Sequence, residues 1–334
     1  MRIVITGGGG FLGQMLARAL LDRGGLAVTP GAPGALRELV LFDQAFAVDG
    51  VAGSCVRRVT GDISDAAAIA ALLREPADAV FHLAAVVSAG AEADFDLGMR
   101  VNLDALRVVL EACRRQARPP RFVFTSSVAA FGGTLPAVVD DTTAATPRSS
   151  YGTQKVIGEL MVADYTRKGY LDGCTLRLPT IVVRPGRPNR AASGFMSSIL
   201  REPLAGLAAV CPVPREARMW ILSPRSAVDA LIRAAELPAA SWGPDRTLNA
   251  PGLSVSVAEA LDALGAIAGP EAVSRVRFER DPAMEAIVLG WPARFVTSRA
   301  LRLGFTGDGS IADIVRAHRN AMPGRAGAPH AETH

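Results

Sequence analysis

Tyr151 and Lys155 stand four residues apart in Tyr151-Gly152-Thr153-Gln154-Lys155, a spacing that puts a phenol and an ammonium on one face of a helix. A free tyrosine titrates near about 10, too high for a base at neutral pH. A neighbouring cation favours the phenolate and lowers that value. Such a phenolate can take the proton of an alcohol while hydride leaves the same carbon. Upstream, Arg121-Phe122-Val123-Phe124-Thr125 ends in Ser126-Ser127. A hydroxyl at that strand end can hydrogen-bond a substrate oxygen and share its developing charge. The ordinary alternative for either serine is a helix or turn cap.

A hydride needs an acceptor, and the amino terminus supplies a place for one. Thr6-Gly7-Gly8-Gly9-Gly10-Phe11-Leu12-Gly13 follows the β-branched run Arg2 to Thr6 and opens a helical pattern from Phe11 to Leu21. Gly7, Gly10 and Gly13 stand in the pattern G-x-x-G-x-x-G. This pattern provides a tight turn, a backbone bare enough for a pyrophosphate, and a helix start whose amides and dipole attract it. The strand before and the helix after meet the condition for dinucleotide binding. Asp43, ending Leu39-Val40-Leu41-Phe42, is the acid placed to accept hydrogen bonds from the adenosine ribose. It lies 30 residues beyond Gly13, and the Gly-, Pro- and Ala-rich stretch Gly24 to Gly34 reads as an insertion. A carboxylate there repels a 2′-phosphate, so NAD is favoured over NADP.

Positioning these groups takes an ordered framework. Strands are expected at Arg2 to Thr6, Leu39 to Phe42, Val56 to Val59, Ala79 to Leu83, Arg121 to Thr125 and Thr175 to Val183. Helices are expected at Phe11 to Leu21, Ala66 to Arg74, Phe95 to Ala117 and Ser149 to Arg167. Strands alternating with helices make βαβ units, hence an α/β fold with a doubly wound parallel sheet. In such a sheet the carboxyl ends of the strands face the ligand crevice. Beyond Pro179 the prolines Pro185, Pro188, Pro203, Pro212 and Pro214 interrupt the alternation. We therefore expect a dinucleotide-binding domain over 1–178, with 216–240 returning to it, and a smaller carboxyl-terminal substrate lobe over 179–321. Residues 322–334 read as a frayed tail.

Thr6-Gly7-x-x-Gly10-x-x-Gly13, Gly61-Asp62-Ile63, His82-Leu83-Ala84-Ala85, Asn102, Ser126-Ser127 and Tyr151-x-x-x-Lys155 occur in order across about the first 180 residues. In these pieces the chain resembles the extended short-chain dehydrogenase/reductases, the superfamily of nucleotide-sugar epimerases and dehydratases. The resemblance implies a Rossmann fold and a Ser-Tyr-Lys mechanism with Ser127, Tyr151 and Lys155. Ser127 matches the catalytic hydroxyl better than Ser126, because it stands five residues before Gly132. It further implies that Phe11 and Leu12 join the glycines at the cofactor, that Asp62 and Ile63 flank the adenine, and that Leu83, Ala84 and Ala85 line the cleft. Asn102 is carried over as a cofactor residue, Tyr151 and Lys155 as neighbours of the nicotinamide ribose, and Pro179, Thr180 and Ile181 as contacts of nicotinamide and substrate.

A narrower likeness covers nearly the whole chain. It runs through Pro147 to Lys155, Leu176 to Gly186, Pro188-Asn189, Ala191 to Phe195, Cys211-Pro212-Val213, Ser223-Pro224-Arg225 and Asn249 to Leu253. This resembles the branch of the family that oxidises four-carbon sugar acids. It implies NAD-dependent oxidation at C2 of D-erythronate to 2-dehydro-D-erythronate. A sugar acid needs a cationic partner, best a forked guanidinium. Arg184 and Arg225 are the leading pair, with Thr180, Asn189 and Ser193 for hydroxyls; Ser127 and Tyr151 complete the substrate side. The alternatives are a nucleotide-sugar epimerase or dehydratase on the same scaffold, and a protein that senses NAD(H) without chemistry.

Composition narrows the partners. The chain has 334 residues, 49% hydrophobic and 20% charged, with a formal net charge of +4. No stripe of basic and stacking residues appears, so nucleic acid is not an expected partner. No apolar run reaches the ~18 residues of a membrane span, and the start lacks the apolar centre of a signal peptide. Cys55, Cys113, Cys174 and Cys211 are too scattered for a disulfide framework or a metal site. A cytoplasmic enzyme with a small-molecule substrate, without metal, is expected. The two long helices can pair across a two-fold axis into a homodimer.

Overall fold

The computed structural model describes residues 1–29, 32–186 and 192–322. Its main sheet has seven parallel strands. From edge to edge they are Thr247–Asn249, Asp172–Leu178, Arg121–Ser127, Ala79–His82, Arg2–Thr6, Glu38–Asp43 and Val56–Thr60. The order reverses at Arg2–Thr6, whose neighbours are Glu38–Asp43 on one side and Ala79–His82 on the other. That reversal opens a crevice at the carboxyl ends of the strands.

Central strands are apolar on both faces because helices cover both. On one face Ile3, Ile5, Leu39 and Leu41 pack with Leu16 and Leu20 of the Phe11–Arg23 helix and with Ala227, Leu231 and Ala235 of the Pro224–Glu236 helix. On the other, Val4, Val40, Val80, Phe122 and Phe124 pack with Leu106, Val109 and Leu110. Thus a helix far along the chain seals the first face of the sheet.

The apolar run Thr175 to Val183 does not continue as one strand. It stops at Leu178, and Thr180–Ile181 joins a separate three-stranded sheet beside Arg218–Leu222 and Leu253–Ser256. Pro179 has no N–H to give the ladder, so the chain changes sheets there. A second core, with Val182, Val183, Met196, Ile199, Ile221 and Leu261 at its centre, lies beyond this switch. The expected insertion after Gly24 holds an antiparallel hairpin, Gly25–Thr29 with Ala32–Ala35. The expected helix from Phe95 to Ala117 is three segments: Phe95–Gly98, a π-helical stretch Met99–Asp104 and Ala105–Arg114. Among the described residues no helix is long and apolar enough to cross a membrane, and the four cysteines are free.

Candidate active site

The glycine loop turns sharply out of the first strand because Gly7 takes φ +74°. A Cβ at Gly9 would lie 2.1 Å from the Ala45 carbonyl, and one at Gly13 would lie 2.2 Å from the Gly7 carbonyl. Only bare backbone permits this closeness of loop, helix and second strand. The Phe11–Arg23 helix starts at Gly10 with no side-chain cap and no acid in its first turn. Its leading amides and positive end are therefore left for an anion. Asp43 braces the loop from the end of its strand: Gly9 N donates to Oδ2 at 2.9 Å, and Gln44 N to Oδ1 at 2.7 Å.

Two recesses of about 270 and 310 Å³ meet across Gly7, Gly10, Leu83 and Ala85. The second holds Asp43, Ile63 and Ala84; the first holds Phe11, Leu12, Gly13, Ser127, Tyr151, Lys155, Pro179, Thr180, Ile181, Arg184 and Ser193. Joined end to end along the glycine loop, the two recesses have the elongated shape that a dinucleotide requires.

Neighbouring serines turn to opposite sides of the Arg121–Ser127 strand, as its pleat requires. Ser126 is buried and donates to Glu159, which Arg177 clasps through Nε at 2.9 Å and Nη2 at 2.6 Å. Ser127 faces the cleft and also caps the Val128–Ala130 turn, accepting from Ala129 N at 3.2 Å. Behind that turn sits the Ser150–Arg167 helix, capped by Ser149, whose Oγ accepts from Gly152 N at 3.1 Å. A Cβ on Gly152 would lie 2.1 Å from the Ala129 carbonyl. The glycine after Tyr151 thus lets the helix press against the turn, which places Tyr151 and Ser127 together in the cleft lining.

Burial pushes the Tyr151 phenol up to about 12, while the Arg184 charge and the Ser127 hydroxyl pull it back. Sequence reasoning gave that lowering to Lys155. In the structure Lys155 Nζ lies 5.5 Å from the centre of the Tyr151 ring and donates to the Thr125 carbonyl at 2.8 Å. The cation acting on the phenol is Arg184, whose Nη2 donates to Ser193 Oγ at 3.1 Å and Nε to the Ile181 carbonyl at 3.1 Å. Burial holds Lys155 down at about 8, with the Glu159 charge opposing. His82 is buried against Thr6 Oγ1 at 2.9 Å and is kept near 3, by burial first and Lys155 second. It is a neutral packed residue.

Three expected residues lie elsewhere. Asn102 does not line the cleft: its amide bonds both backbone groups of Val86 (2.8 and 3.0 Å) and Gln154 Oε1 (2.7 Å), fastening the cleft-side loop to the Tyr151 helix. Asp62 is exposed and accepts from Ser64 N at 2.9 Å, leaving Ile63 as the cleft residue of that pair. Arg225 is exposed in the first turn of the Pro224–Glu236 helix, because Ser223 caps that helix and Pro224 starts it, and it is absent from the cleft lining. Asn189 lies outside the described residues. Ser88 and Trp291 line the cleft unannounced, Trp291 from just past the Pro282–Leu289 helix. No local pattern marks either; only tertiary folding brings them in.

Residues 3–249 match the NAD dependent epimerase/dehydratase family. The chain belongs to this family. Its cofactor is NAD, and it is an oxidoreductase. A curated relative, the D-erythronate dehydrogenase of Cupriavidus necator, is 54% identical over 318 residues, covering 95% of this chain and 98% of the relative. The D-erythronate dehydrogenase of Haemophilus influenzae is 43% identical over 316 residues, with 95% and 98% covered. The crystal structure of the nucleoside-diphosphate-sugar epimerase from Agrobacterium tumefaciens superposes with a TM-score of 0.88 at 43% identity, covering 96% of this chain and 94% of that one.

Proposed function

We propose that this protein oxidises the C2 hydroxyl of a four-carbon sugar acid, D-erythronate to 2-dehydro-D-erythronate, with NAD as oxidant. The observation that carries the reading is one cavity holding a hydroxyl, a phenol and a guanidinium beside the glycine loop. The two relatives named D-erythronate dehydrogenase support the choice of substrate.

Arg184 takes the carboxylate by a forked, charge-assisted contact, and Thr180 and Ser193 hold the remaining hydroxyls. Ser127 and Tyr151 hydrogen-bond the C2 oxygen. Tyr151 accepts the C2 hydroxyl proton as the C–H bond breaks. Bound NAD would supply the acceptor for the hydride that leaves C2. Lys155 would hold the nicotinamide ribose, and Gly7, Gly10, Phe11, Leu12 and Gly13 would hold the pyrophosphate. Asp43 would accept from the adenosine ribose and disfavour a 2′-phosphate. The apolar walls Leu83, Ala85, Pro179 and Ile181 shield the reacting atoms from water, which strengthens the electrostatic contacts within. Exposed Phe95 on the short Phe95–Gly98 helix and exposed Leu160 on the Ser150–Arg167 helix support pairing with a second copy.

Mixing the protein with NAD and D-erythronate is expected to give steady NADH absorbance, with NADP much less effective. An epimerase on this scaffold returns its hydride and accumulates no NADH. Absence of NADH with every four-carbon acid, alongside turnover of a sugar nucleotide, refutes the reading.

A further inference from the structure

Residues 151, 155 and 159 of the Ser150–Arg167 helix form one stripe. The proposed reaction uses the first two and gives Glu159 no task. Yet Glu159 is a buried carboxylate, 4% exposed, that does not line the cleft. Keeping a charge there is costly unless it is paired and hydrogen-bonded. Both oxygens are committed: Ser126 and Arg177 Nε donate to Oε1, and Arg177 Nη2 donates to Oε2. The side chain is thereby clamped one helical turn from Lys155, whose ammonium is itself buried and bonded to the carbonyl of Thr125, the residue next to Ser126.

The charged and titratable groups around Lys155 come from three elements. Tyr151 and Glu159 share its helix, His82 ends the Ala79–His82 strand, and Arg177 lies on Asp172–Leu178. His82 is neutral and Tyr151 is protonated at rest. Arg177 is bound by Glu159 through both Nε and Nη2. Glu159 is therefore the one anion of this group acting on the ammonium, and its charge opposes the effect of burial.

Resting on the reading of Tyr151 and Lys155 as the catalytic pair, we propose that Glu159 is a positioning residue: a clamped negative charge that keeps the Lys155 ammonium protonated and in place. Without that charge Lys155 loses its proton at lower pH, since no anion of this group then opposes the effect of burial. The cleft would lose its ammonium just where oxidation is otherwise favoured, on the alkaline side.

The sequence offers a clean probe, because Lys155 and Lys168 are its two lysines and Lys168 is exposed. Carbon-13 labelling of lysine Cε gives two side-chain signals, assigned by Lys168→Arg, and their shifts follow protonation directly. Glu159→Gln is expected to lower the Lys155 midpoint by about one pH unit, a tenfold change, and to leave Lys168 unmoved. The alkaline limb of the kcat/KM profile falls with it. Glu159→Met removes the same charge without leaving an amide to satisfy and lowers the same midpoint, so it serves where Glu159→Gln fails to fold. A Lys155 midpoint unchanged in either folded variant overturns the proposal. A midpoint that moves while the rate profile stays put upholds Glu159 as the counter-charge and refutes the catalytic pair instead.

Discussion

Tyr151→Phe is expected to reduce kcat for sugar-acid oxidation by roughly 10² to 10⁴-fold, the usual worth of a positioned general base, while NADH binding stays nearly intact. The phenyl ring keeps its packing between Lys155 and the cleft, so only the proton acceptor is removed. The pH profile gives the decisive sign. With the phenol held up near 12 by burial, the base form is scarce at neutral pH and its fraction grows tenfold per unit as pH rises. Oxidation by the unaltered protein therefore accelerates with pH until Lys155 begins to lose its proton near 8. The phenylalanine variant lacks the rising limb. Stopped-flow absorbance of NADH across pH 6 to 10 measures both. A folded variant that keeps the limb and most of its turnover removes Tyr151 from the role.

Arg184→Met carries the second large effect. Arg184 is assigned the substrate carboxylate and also bears on the phenol, so its loss strikes KM and kcat together. One hydrogen bond to a charged group is worth about 1.5–3 kcal/mol, which is roughly 10- to 150-fold, and two functions compound. We expect kcat/KM to fall by roughly 10²-fold or more, with KM for the acid raised. Arg184→Lys restores charge without the fork and is expected to recover the reaction in part. Part of the cost is local, since the guanidinium also ties Ser193 to the Ile181 carbonyl; a melting curve separates loss of fold from loss of binding. A drop in kcat alone limits Arg184 to the phenol, and unchanged kinetics discard both roles.

Much of this site is legible in the sequence because local geometry and chemistry coincide there. The glycine loop shows itself by the spacing of Gly7, Gly10 and Gly13, and at Gly13 a Cβ would strike the loop's own Gly7 carbonyl. The Tyr151–Lys155 spacing means the same in any helix, and Asp43 follows from ending a strand beside the loop. What stayed hidden depends on tertiary placement. Ser126 and Ser127 both border the cleft, and what the sequence hides is that the Ser126 hydroxyl is taken up by a carboxylate 33 residues later. Asn102 reads as a cofactor residue by position, yet its amide is consumed by Val86 and Gln154. Arg184 and Arg225 look equivalent along the sequence; a helix start at Pro224 sends one outward, while the sheet change at Pro179 carries the other into the cleft. The hairpin after Gly24 escapes notice because its strands are rich in Gly, Ala and Pro, the residues least typical of strands.

The most direct test follows the hydrogen itself. D-Erythronate carrying deuterium at C2 is incubated with NAD and the protein, and both products are examined by mass spectrometry. Direct transfer predicts one deuterium in the NADH formed and none in the oxidised acid. Deuterium that washes into solvent, or that returns to the carbon chain with no labelled NADH, contradicts a hydride passing from C2 beside Tyr151.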